Sequence, residues 1–254
     1  MVLLHILIFL LGASFASFFC ALCYRIESEM KYRDLLTKGS HCEKCGKELR
    51  WYELVPVLSF LFSKGKCRKC GAKINPVYFG AELIFGTTTL LLYLYGVHPI
   101  VYVWAATLGF LAIYDALYKG VPKSIMHLYL LLGVVWLGVR LVQTQDVTLL
   151  YPTVIALMIF AAVELLNKRK MVFGRGDSLT LIYIATISTT EMFVTTIVAA
   201  FLISGIFALV ALLAGLVKRK GYIPFIPFLA VGYLAALLLA QKGVSFFDYI
   251  FLLW

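Results

Sequence analysis

Four cysteines and four acids stand out as side chains able to bind a metal or move a proton. Cys42-x-x-Cys45 and Cys67-x-x-Cys70 are separated by 21 residues. A two-residue gap lets both thiolates of a knuckle face one tetrahedral Zn²⁺, and two knuckles complete a closed four-sulfur site with no open position for catalysis. Gly46 and Gly71 follow the second cysteine of each pair and suit the tight turn such a knuckle needs. Disulfides or unligated thiols are the alternatives, and a reducing compartment disfavours the first. Cys20 and Cys23 repeat the spacing with no second pair near them, and read as small apolar packing residues. Gly12 and Ala16, four apart, could let a neighbouring helix approach closely.

The acids Glu82, Asp115, Glu164 and Asp177 fall in or beside long apolar runs. An ionisable group in a membrane span costs roughly 2.5–3.5 kcal/mol on insertion scales, so each is a functional candidate. Taken alone, Asp115 could be an interfacial residue paired with Lys119. Asp177, in Gly174-Arg175-Gly176-Asp177, could cap a helix or close an anion-binding turn. Taken together they suggest more. Two carboxylates at one depth cannot both ionise cheaply, so they share a proton, and one activates water while the other protonates a scissile amide. Gly174 and Gly176 would let an extended substrate backbone come close to Asp177. The sharp reading is a membrane aspartyl protease.

The chain that must position these residues is 62% hydrophobic and 14% charged, against about 45–50% and 25% in soluble domains. Its mean hydropathy is +0.93. The pattern predicts an all-α polytopic membrane protein with about eight spans, at 2–23, 77–95, 99–117, 125–143, 148–166, 178–190, 192–217 and 227–241. The span at 178–190 is the weakest, being short and polar at its end. No Lys or Arg precedes residues 2–23, so that run reads as a retained helix with its N-terminus outside. The net charge of +10 sits in clusters between runs, which reads as topology and not as nucleic-acid binding. With the N-terminus outside, the cytoplasmic connections are 24–76, Lys119 with Lys123, the Lys168-Arg169-Lys170 run with Arg175, and Lys218-Arg219-Lys220. The predicted division is a first helix at 1–23, a basic zinc-binding loop domain at 24–76 and a membrane-embedded bundle at 77–254. No internal repeat is apparent.

At this point the residues resemble a family, the type IV prepilin peptidases. The resemblance rests on Gly-x-Gly-Asp at 174–177 with an earlier aspartate seven residues before Pro122, on Ser17-Phe18 and Arg25, and on the double Cys-x-x-Cys loop. It continues through Val55-Pro56-Val57-Leu58-Ser59, Gly65-Lys66-Cys67-Arg68, Tyr78 with Glu82, Ile223-Pro224-Phe225 and Pro227-Phe228. Cys20, Glu27, Phe79, Leu179 and Ile226 depart from the common pattern, and none is an aspartate of the pair.

The resemblance implies Asp115 and Asp177 as the catalytic pair, Gly174, Gly176 and Glu82 as supporting residues, and structural Zn²⁺ on the four loop cysteines. It implies removal of basic leaders from prepilins or pseudopilins at the cytoplasmic face of a bacterial plasma membrane. It also implies N-methylation of the new terminus with S-adenosylmethionine, for which spacing identifies no pocket. The Lys and Arg of the loop are expected to meet anionic lipid headgroups, with Glu27, Glu29, Asp34 and Glu53 receiving the leader. A non-enzymatic scaffold or transporter with a zinc-stabilised docking loop, or an aspartyl protease for other membrane substrates, are the competing readings.

Overall fold

The computed structural model describes residues 1–167, 174–216 and 223–241. The Lys168-Arg169-Lys170 and Lys218-Arg219-Lys220 runs lie outside these residues. Among the described residues the secondary structure is helical, with two isolated bridges and no strand. The helices are α1 (Val2–Glu27), α2 (Tyr32–Thr37), α3 (Leu58–Phe62), α4 (Pro76–Leu94), α5 (Pro99–Tyr118), α6 (Lys123–Thr144), α7 (Tyr151–Asn167), α8 (Arg175–Ile187), α9 (Thr190–Leu213) and α10 (Ile226–Gln241). Every one of the eight expected apolar segments is a helix. Six of them, α1, α4, α5, α6, α7 and α9, are long and apolar enough to cross a membrane, the fifth counted from Val147.

The chain divides into two compact units, Met1–Tyr102 and Val103–Trp254. This grouping differs from the predicted cuts after 23 and 76, because α4 belongs with α1. In the first unit α1 and α4 pack along their length. A Cβ on Gly12 would strike Thr89, and would lie 2.7 Å from the Phe85 carbonyl; one on Gly86 would lie 2.6 Å from the Phe9 ring. Gly12, with the buried Ala13 and Ala16, therefore lets the two backbones approach. Cys20 and Cys23 are buried on the same helix as free thiols, consistent with packing. Asn75 opens α4 by accepting from the Val77 N–H at 3.0 Å, and Pro76 takes the first helical position, where a missing N–H costs nothing.

In the second unit α8 is wrapped by α6 and α7 and also touches α9 and α10. It has 13 residues, so at 1.5 Å per residue it spans about 20 Å, short of a hydrocarbon core of about 30 Å. Nine of those residues are buried, including Asp177, Ser178, Thr180 and Thr186. A helix covered by protein instead of lipid can be short and polar, because neighbours satisfy what lipid cannot. A Cβ on Gly133 of α6 would strike the Thr186 hydroxyl, and one on Gly232 of α10 would lie 2.5 Å from the Thr196 carbonyl of α9. Small residues again set the helix spacing. Tyr183, fully buried, shares a hydrogen bond with Thr107 of α5 at 2.5 Å, and Arg140 Nη1 donates to the Ser188 carbonyl just past the end of α8 at 3.2 Å. A cation there meets the negative end of the helix.

Candidate functional site

Asp115 sits in the last turn of α5 and is 1% exposed, which excludes a solvated interfacial pair with Lys119. Its Oδ2 accepts from the Ile226 N–H at 3.2 Å, and the Phe225 backbone donates to the same carboxylate. These donors belong to the start of α10, whose first N–H groups have no partner within their own helix. Pro227, next in sequence, has no N–H to offer. The N-terminus of α10 thus fixes the Asp115 carboxylate. The backbone groups of Phe225 and Ile226 are functional contacts that side-chain patterns could not show, although the Pro224 and Pro227 motif marked the place.

Asp177 is 6% exposed and occupies the third position of α8, whose N-cap is Gly174. Its carboxylate takes a backbone hydrogen bond from Gly174, so the helix-capping reading holds in modified form: the acid reaches back to the cap from inside the helix. A Cβ on Gly174 would lie 2.6 Å from Asp177 Oδ2, whereas one on Gly176 would meet nothing. Gly174 therefore leaves the acid its place against the cap, and Gly176 leaves open space one residue before it. Ser178 and Thr180 donate to the carbonyls of Gly174 and Gly176 at 3.2 and 2.8 Å, which steadies this turn. The charges of Asp115 and Asp177 act on one another. Two acids more than sixty residues apart in sequence are brought together, each held by a different helix N-terminus. Glu164, on α7, binds Arg175 through two hydrogen bonds of 2.9 Å, a structural pairing across the Gly-x-Gly-Asp turn.

In the first unit the four loop cysteines converge, with ligand atoms all within 4.8 Å of one another. The Cys42–Cys70 and Cys45–Cys67 sulfurs are 3.9 and 4.0 Å apart, close to the edge of about 3.8 Å of a tetrahedron with Zn–S bonds of about 2.3 Å. Those separations are far too long for disulfides. Gly46 and Gly71 adopt φ of 66° and 70° and donate to the carbonyls of Cys42 and Cys67 at 2.9 Å. The bridges His41–Glu48 and Lys66–Lys73 close each knuckle in the same register. The knuckles are thus a structural repeat, and Cys-x-Lys-Cys-Gly at 42–46 and 67–71 was the sequence signal for it. Backbone N–H groups of Cys70 and Lys69 directed at Cys67 pull its thiol down, while the crowding of the other three sulfurs pushes Cys70 up. The residues present fit Zn²⁺.

Glu82, on α4, is 7% exposed and accepts the Val57 N–H at 2.7 Å and a hydrogen bond from Ser17. Val57 stands at φ 64°, ψ −54°, with the Leu58 N–H bonded to the Pro56 carbonyl at 2.7 Å. This is a γ-turn in the strained sense, unusual for a β-branched residue, and Glu82 clamps it. The Glu53 carboxylate takes the Arg50 N–H at 3.0 Å and Lys47 at 2.7 Å, which hold it below the usual carboxylate range.

Comparison with known proteins bears on both units. A prepilin leader peptidase/N-methyltransferase of Dichelobacter nodosus is 31% identical over 229 residues, covering 84% of this chain and 76% of the relative. The chain belongs to the prepilin leader peptidase/N-methyltransferase family. The family member of that name from Bacillus subtilis (strain 168) is 26% identical over 251 residues, 95% of this chain and 96% of the relative. One from Pseudomonas aeruginosa is 29% identical over 216 residues, 81% and 73% respectively. The family model described as Bacterial Peptidase A24 N-terminal domain matches residues 10–95, which lie wholly inside the first unit. No solved structure matches. In this prepilin peptidase family member, then, the matched domain holds the cysteine centre and Glu82, and the paired aspartates lie in the other unit.

Proposed function

We propose that this chain cuts the basic leaders of prepilins or pseudopilins with Asp115 and Asp177 as the catalytic pair, at the cytoplasmic face of a bacterial plasma membrane. The observation that carries the reading is the electrostatic contact of two buried aspartates held by two separate helix N-termini. Buried and near enough for their charges to interact, the two carboxyls share one proton. The ionised member takes a proton from water as its oxygen attacks the scissile carbonyl carbon, while the protonated member donates to the carbonyl oxygen. Collapse of the tetrahedral species returns a proton to the leaving amine. Gly176, whose Cα faces open space, gives an extended substrate backbone room beside Asp177.

Zn²⁺ on Cys42, Cys45, Cys67 and Cys70 supplies folding energy to a segment with little core of its own, and takes no part in cleavage. The family's second named activity supports N-methylation of the new terminus with S-adenosylmethionine.

Asp115→Asn and Asp177→Asn each keep size and most hydrogen bonds but remove the acid. Co-expression with a prepilin, read by mass spectrometry, should show cleavage reduced by at least about 100-fold in either. Cleavage at the unmodified rate in either variant would sink the aspartate-pair reading.

A further inference from the structure

A cavity of about 150 Å³ lies in the first unit between α1, α4 and the cysteine segment. Two of its lining residues are ionisable side chains almost wholly buried: Arg25, 6% exposed, and Glu82, 7% exposed. Other acids on its wall are engaged, Glu53 by Lys47 and Glu43 by the Tyr78 hydroxyl. Arg25 and Glu82 form no ion pair with each other or with any other described side chain. The Leu35 carbonyl takes one of the five N–H donors of Arg25, at 2.6 Å. Glu82 takes Val57 and Ser17, both neutral donors. A buried guanidinium and a buried carboxyl group in one cavity, neither with an ion-pair partner, are costly to hold charged unless a ligand supplies the opposite charges.

The smallest ligand that does so is an α-amino-acid zwitterion. A peptide N-terminus carries the ammonium without the free carboxylate and leaves Arg25 unmatched, so the cut substrate fits less well than a free amino-acid group. Aromatic faces at Tyr24, Phe60 and Phe79 also line the cavity, and such faces attract a cationic centre beyond the amino-acid head. At about 150 Å³ the space is below the roughly 300–1,000 Å³ of a whole-ligand pocket. A second cavity of about 210 Å³ shares the wall of His41, Glu43, Leu49 and Tyr78 with the first, and the two together reach that range.

We propose that the first cavity binds the amino-acid head of a sulfonium methyl donor, its carboxylate on Arg25 and its ammonium on Glu82, with the nucleoside end lying toward the second cavity. This rests on the methylation reading above. In the transfer, the neutral terminal amine of the cut substrate attacks the methyl carbon. The C–N bond forms as the C–S bond breaks, sulfur keeps the electron pair as a neutral thioether, and the extra proton on nitrogen passes to solvent.

The test is binding, measured by titration calorimetry on the full-length, zinc-loaded protein in detergent. The probes are S-adenosylhomocysteine, which has the amino-acid head, and 5′-methylthioadenosine, which lacks it. Arg25→Gln and Glu82→Gln each keep a hydrogen-bonding group for Leu35 or Val57. Each should weaken S-adenosylhomocysteine by about tenfold or more and leave 5′-methylthioadenosine unchanged. On the unmodified protein 5′-methylthioadenosine should be the weaker ligand by a similar factor, and this comparison decides the matter if a variant fails to retain zinc. Equal affinity of the two probes, or variants that bind S-adenosylhomocysteine as the unmodified protein does, would overturn the assignment while leaving methylation standing. Absence of S-adenosylhomocysteine binding to the unmodified protein would instead overturn the methylation reading, and this assignment with it.

Discussion

At the scale of single residues, the two glycines of Gly-Arg-Gly-Asp have different jobs although they look alike in sequence. A methyl group on Gly174 would press into the Asp177 carboxylate, so Gly174→Ala should displace the acid and lower the rate constant for cleavage in an assay with purified prepilin. Gly176→Ala meets nothing in the protein. It should leave thermal stability unchanged and raise KM if a substrate backbone passes there; an unchanged KM would remove the substrate from that position. Glu82 reads in sequence as an acid in a span, and nothing in its own neighbourhood names its partner. Its partner is a strained turn 25 residues earlier, and the link exists only because α1, α4 and the cysteine segment fold against one another.

At the scale of elements, α8 is the piece that departs furthest from expectation. The sequence reading set it at 178–190, and it runs from Arg175 to Ile187. Its start moves back because Gly174 is the cap and Asp177 lies inside the first turn. Its end comes early because Thr189 caps α9, accepting from the Met192 N–H. The C-terminal end of α8 depends on Arg140, whose guanidinium reaches the Ser188 carbonyl. Arg140→Met should leave that buried carbonyl short of a donor and cost about 1–3 kcal/mol, read as a lower midpoint of thermal unfolding in detergent. Likewise Gly232→Val would push α10 off the Thr196 carbonyl of α9. Since α10 also presents the Ile226 N–H to Asp115, this variant should lose cleavage activity along with stability, although it touches neither acid.

At the scale of the whole molecule, each unit depends on its own device. In the first, the segment between α1 and α4 has few buried apolar residues and is held by the four-cysteine centre. Metal analysis should return about one Zn²⁺ per chain. A strong chelator should make residues 28–75 sensitive to protease while the circular dichroism of the spans persists; a segment that stays resistant without metal would retire the structural role. The helical membrane class, the eight apolar segments and the four-cysteine cluster were legible in the sequence, because apolar length, charge clustering and cysteine spacing are local properties that survive without knowledge of the fold. The sequence also nominated Asp115 and Asp177, because an acid beside an apolar run is costly wherever the chain goes. That α10 holds Asp115 by its backbone, that α8 can be short because protein surrounds it, and that Arg25 and Glu82 share a cavity emerged from the folded contacts alone. Those facts depend on contacts between residues tens to more than a hundred positions apart, made through backbone groups and glycine-sized gaps that leave no periodic trace in the sequence.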